Sequence, residues 1–76
     1  MISLKRMDKL ICFLEKATVI TDDPYMTQYQ KDVRIAELMT IMERRYNIPM
    51  LRNEQWEKDN SYVISVYRTI SNMRKL

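Results

Sequence analysis

The chain has no histidine and no glycine, a single cysteine and two prolines. Each shortage closes a class of chemistry. Without histidine there is no Ser-His-Asp or Cys-His nucleophile and no imidazole zinc ligand, and the one thiol, Cys12, cannot build a thiolate cluster. Without glycine there is no phosphate-cradling loop, no dinucleotide fingerprint and no EF-hand, since each relies on backbone that glycine supplies. An enzyme would be left with carboxylates, lysine or tyrosine. No catalytic residue, metal site or cofactor is therefore expected, and an enzyme is not the expected reading. A lone cysteine also forbids an intramolecular disulfide, which favours the cytoplasm.

The missing glycine bears on architecture as well. Tight hairpin turns of the primed types need positive φ, so a β-sheet protein is disfavoured, while a composition rich in Met, Leu, Ile, Glu, Lys and Arg favours helices. Seventy-six residues read as one domain, 1–76, near the lower size limit for a core without disulfide or metal staples. No segment approaches the roughly 20 apolar residues that span a bilayer. Lys5 and Arg6 precede apolar residues as in a signal peptide, but Asp8 and Lys9 interrupt any apolar core.

What the chain does have is helical periodicity. Ser3 reads as the cap of a first helix ending near Thr18, with Leu4, Met7, Leu10, Ile11, Leu14 and Ala17 on one face and Phe13 widening it. Cys12 lies beside that face and reads as a buried thiol. The run Thr21, Asp22, Asp23, Pro24 reads as a stop and a start, with Asp23 capping a second helix and Pro24 in its first turn. Pro49 limits that helix at Tyr46 or Asn47, and Asn47 stands in for the missing C-cap glycine.

The second helix carries two apolar stripes. Tyr25, Tyr29, Val33 and Ala36 form one; Ile35, Leu38, Met39, Met42 and Tyr46 form the other. Both spacings are helical, and their centres lie roughly a third of a turn or more apart. The segment thus needs partners on two sides, either other helices of the chain or another molecule. Leu38, Met39, Ile41 and Met42 are the expected self-association cluster.

The linker Ile48, Pro49, Met50, Leu51, Arg52 is unusually apolar. Two readings stand: a plug tucked under the bundle, or an exposed docking patch. Asn53 is placed to cap a short turn carrying Trp56, and Asp59 or Asn60 to cap a third helix, although one continuous helix would also align Trp56 with Val63, Tyr67 and Ile70. Trp56 is expected to pack against Val63 and Tyr67 or the linker, with Trp56 and Tyr62 as alternative partner anchors. The methionines read mainly as core filling.

Ten acids offset ten bases through residue 59, so the net charge of +3 belongs to residues 60–76. Ser65, Arg68, Asn72, Arg74 and Lys75 there have the chemistry of a nucleic-acid recognition surface, while the plainer reading is dipole complementation and solubility. The fold expected is all-α, a small three-helix antiparallel bundle with a central second helix, with dimerisation left open. The expected function is that of a small cytoplasmic regulatory or adaptor protein, of bacterial or phage type, binding a protein partner and self-associating. The alternative is a nucleic-acid-binding module using residues 60–76. A membrane partner is not expected, because acids interrupt the lysines of the first helix.

Overall fold

The structure, a computed structural model, describes the backbone of residues 4–75 and the side chains of residues 9–75. The Ser3 cap lies outside the described residues, as do the side chains of Leu4 and Met7. The described residues form four helices: α1 Leu4–Asp22, α2 Gln28–Tyr46, α3 Glu54–Asp59 and α4 Ser61–Ser71. α2 packs against α1 and α4, α1 also packs against α4, and α3 leans on α4.

The α1–α2 connection corrects the expected boundaries. α1 continues past Thr18 to Asp22, because Ile20 packs against the core and Lys31 Nζ donates to the Thr21 carbonyl at 2.7 Å, satisfying an acceptor at the helix end. Asp23 does not cap α2. Its Oδ1 accepts from the Tyr25 N–H at 2.7 Å, so Asp23 and Pro24 form a turn. The cap is Thr27. Its hydroxyl accepts from Gln30 N–H at 3.1 Å while Gln30 Oε1 accepts from Thr27 N–H at 2.9 Å, a reciprocal capping box that outcompetes the proline signal upstream.

The other end of α2 follows expectation. Asn47 takes the left-handed conformation (φ 54°, ψ 44°), and Ile48 N–H reaches back to the Glu43 carbonyl at 3.1 Å. This closes the helix as a glycine would. Asn53 Oδ1 accepts from Trp56 N–H at 3.0 Å and starts α3. The short turn carrying Trp56 and the main helix after it are separate, as expected, and not one continuous helix: the backbone of Asn60 (φ −127°, ψ 45°) leaves the helical region between them, and its Nδ2 donates to the Trp56 carbonyl at 2.9 Å.

The core decides which α2 stripe is inside. Ile35 and Met42 are fully buried, joined by Leu38, Met39 and Tyr46 from the same stripe, by Leu10, Phe13 and Ala17 of α1 and by Val63 and Ile70 of α4. Ala17 is small and fully buried, which lets the helices approach. Phe13 meets Tyr46 edge-to-face at 6.1 Å, and the Arg45 guanidinium lies 5.8 Å over the Phe13 ring. The other stripe faces water: Tyr25 is 94% exposed, Tyr29 74% and Val33 40%. Ile11 and Cys12 are also exposed, so the expected burial of that thiol is overturned.

Among the described residues the buried carboxylate is that of Asp32. Asp32 accepts on Oδ1 from Gln28 Nε2 at 2.9 Å and from the Lys75 backbone N–H at 3.1 Å, tying the chain beyond α4 to the start of α2. Trp56, Tyr67 and Met73 pack against the core from its rim.

The two stripes differ in what truncation should cost. Met42→Ala removes a fully buried side chain and should lower unfolding stability by about 2–5 kcal/mol, whereas Tyr29→Ala should change it by no more than about 0.5 kcal/mol. Urea denaturation of both variants tests this, and equal losses would contradict the assignment.

Candidate functional site

Among the described residues, much of the apolar surface outside the core falls in three places. The first is the outward stripe of Tyr25, Tyr29 and Val33. The second is a groove of about 460 Å³ between α1 and α2, lined by Cys12, Glu15, Lys16, Val19, Ile20 and Leu38. The third is the α2–α3 loop, where Met50 is 99% and Leu51 84% exposed. The loop combines the greatest apolar exposure with charge and a hydrogen-bonded frame.

Its construction is local. The left-handed Asn47 ends α2, Ile48 packs against the core, and Pro49 disfavours a helical Ile48, so the chain does not resume a helix before Met50 and Leu51. Asn53 then opens α3. The loop is thus pinned by a cap at each end and by Ile48 in between. The linker divides the two readings: Ile48 is tucked in, whereas Met50 and Leu51 are not.

Beside the loop lies a cleft of about 360 Å³ bounded by Ile48, Pro49 and Met50 on one side and Ile64 and Tyr67 of α4 on the other. Its polar frame is specific. Glu57 takes Arg68 at 2.6 Å and Arg52 at 3.9 Å, with its own side chain only 16% exposed. One carboxylate therefore faces two guanidiniums, the closer bond belonging to Arg68. Across the cleft, the Tyr67 hydroxyl donates to Glu43 Oε2 at 2.8 Å, linking α4 to α2. Burial first, then the hydrogen bond and charge of Glu43, push the Tyr67 phenol from 10.0 to about 12, with Arg74 pulling weakly the other way.

Of the residues expected at a protein interface, Leu38, Met39 and Met42 are spent in the core and are corrected to structural roles. Ile41 is 46% exposed, on the outward side of α2, and Tyr62 is 59% exposed on α4. Trp56 is half-buried against the core, as expected for a structural tryptophan. The candidate nucleic-acid set does not form one helical stripe. Ser65 and Arg68 lie on α4, but the helix ends at Ser71 with Asn72 as its cap, so Arg74 and Lys75 fall beyond it. Arg68 is committed to Glu57, and Arg74 is half-buried.

Sequence reasoning missed Asp32, Glu43 and Glu57. Carboxylates on helices read as solvated, and only their long-range partners mark them otherwise. Among the described residues no three His, Cys, Asp or Glu side chains cluster, and no helix is long and apolar enough to cross a membrane. No family model, no curated protein and no solved structure matches the chain.

The phenol titration tests the cleft's frame. The folded-state pKa of Tyr67 exceeds the unfolded value, so its contribution to stability is complete below pH 10.0 and is lost as pH rises toward about 12. Glu43→Gln should bring the phenol back toward 10.0, because the charge and its hydrogen bond weaken while burial persists. Ultraviolet titration of the variant reads this directly. An unshifted Tyr67 transition would rule out the Glu43 contact.

Proposed function

We propose that this protein is a small, non-catalytic cytoplasmic adaptor that binds a protein partner through the α2–α3 loop and the adjoining outer surface of α2. In this reading α1, α2 and α4 act as an antiparallel three-helix bundle, with α3 an appended turn that supports the loop. The observation that carries it is the near-complete exposure of Met50 and Leu51 on a loop held at both ends. Adjacent apolar side chains facing water are unfavourable for an isolated small domain, and a held loop loses little entropy on binding.

Dimerisation through the inner α2 stripe leaves the proposal, since those side chains serve the core. Self-association through Ile41 stays within it, as a second copy is one kind of protein partner. The nucleic-acid reading has less support. Residues 60–76 hold three cations, fewer than the roughly six to ten phosphate contacts of a strong binder, and one of them is paired with Glu57.

Placing a photo-reactive residue at position 50 in living cells tests the site, with position 25 as an equally exposed control. The expected result is one discrete adduct from position 50, identified by mass and reproduced with the purified partner, that position 25 does not give. An adduct of twice the chain's mass would identify the partner as a second copy. No adduct, or the same adducts from both positions, would contradict the proposal.

A further inference from the structure

The methionines of this chain sit in unlike surroundings, and a thioether reacts with a peroxide only where the oxidant reaches its sulfur. Among those whose side chains are described, Met42 is fully buried, Met39 is 9% exposed, and Met26 and Met73 are half-buried. Met50 is 99% exposed. An oxidant meets Met50 with no opening of the fold, whereas Met39 and Met42 become accessible only when the core comes apart. Accessibility thus singles out one sulfur among the described residues.

The consequence of oxidation is as uneven as the access. Transfer of an oxygen atom from hydrogen peroxide to the Met50 sulfur breaks the O–O bond, takes two electrons from the thioether and leaves water. A flexible apolar side chain becomes a polar sulfoxide. At Met39 or Met42 that change would disrupt the core; Met50 has no part in the core, and its loop is pinned by Ile48 and by the Asn47 and Asn53 caps. The fold is therefore indifferent to it. What changes is the surface that Met50 shares with Leu51, since a sulfoxide oxygen must lose its water to enter an apolar contact.

We propose that Met50 is a site of reversible oxidation by peroxides, and that its sulfoxide releases the protein partner held by the α2–α3 loop. This proposal rests on the loop being the binding surface, and it adds how binding there is regulated. A thiol-dependent methionine sulfoxide reductase reverses the step: two thiols give up their electrons and join as a disulfide, the sulfoxide oxygen leaves as water, and the thioether returns. The exposure that admits the oxidant admits the reductase as well. Leucine has no sulfur to oxidise, so Met50→Leu keeps the apolar contact and removes the switch.

The first arm of the test maps the oxidation on the full folded chain. Trypsin separates the sulfurs, because cleavage after Arg45 and Arg52 leaves Met50 alone in residues 46–52, while Met39 and Met42 share residues 35–44. Under hydrogen peroxide Met50 should gain oxygen at least about tenfold faster than Met39 or Met42, and the melting temperature should hold while residues 35–44 stay unoxidised. The second arm reads binding with a photo-reactive residue at position 51, which leaves Met50 in place. Purified chain is oxidised, freed of peroxide, added to a lysate cleared of small thiols and irradiated. The discrete adduct should fall about fivefold or more, and should return when reductases for both sulfoxide epimers and dithiothreitol treat the chain first. In Met50→Leu it should survive oxidation, although Cys12 is exposed to the same reagent. An adduct unchanged by oxidation, one lost equally in Met50→Leu, or a Met50 that oxidises no faster than Met42 would each overturn the proposal and leave the loop as the binding site. No adduct from the untreated chain at position 50 or 51 would remove the binding surface itself, and the switch with it.

Discussion

The inward stripe of α2 is the constraint from which the rest of the molecule follows. Ile35 and Met42 have no contact with water, and each of the other long helices is organised to cover them. α1 brings the small, fully buried Ala17 and the ring of Phe13; α4 brings Val63 and Ile70. A chain this short can enclose one side of one long helix and little more, because its surface is large relative to its volume. Once α2 has turned Ile35, Leu38, Met39, Met42 and Tyr46 inward, a separation of about 100° per residue leaves Tyr29, Val33 and Ile41 without cover. The apolar surface on the outside is a geometric consequence of the core.

Polar links then hold the periphery in place. Asp32 fastens the segment after α4 to the first turns of α2, and Glu43 fastens Tyr67 of α4 to the last turns of the same helix. Glu57 gathers Arg68 and Arg52, joining α3 to α4 and to the loop. Each is a charged or charge-assisted bond at least partly withdrawn from solvent, stronger than a neutral surface hydrogen bond. The Glu43 and Glu57 links frame the cleft beside Met50.

Much of this was legible in the residues, and the misses have identifiable causes. The inward stripe of α2 stands out because five apolar residues repeat at helical spacing, and Asn47 and Asn53 mark helix ends by side-chain chemistry that few residues share. The start of α2 was obscured by Asp23 and Pro24, a plausible cap and first turn, although Thr27 and Gln30 carried the capping-box spacing three residues on. The apolar linker could not be placed by pattern, since Ile48 and Met50 differ in burial while being alike in hydropathy. Only the left-handed turn at Asn47 sends one inward and the other out. Asp32 and the Arg68–Glu57 pair were invisible because both depend on segments 43 and 11 residues apart.

The methionines offer the most direct check on this account, because they sample its whole range of environments. Met42 is fully buried, Met39 is 9% exposed and Met50 is 99% exposed. With methyl groups labelled and a soluble paramagnetic agent added, nuclear magnetic resonance reads the accessibility of each one separately in the free protein. The account predicts that Met50 relaxes most strongly, that Met39 and Met42 are protected, and that this order is unchanged on dilution. A Met50 methyl as protected as that of Met42, or a Met42 methyl open to the agent, would contradict it.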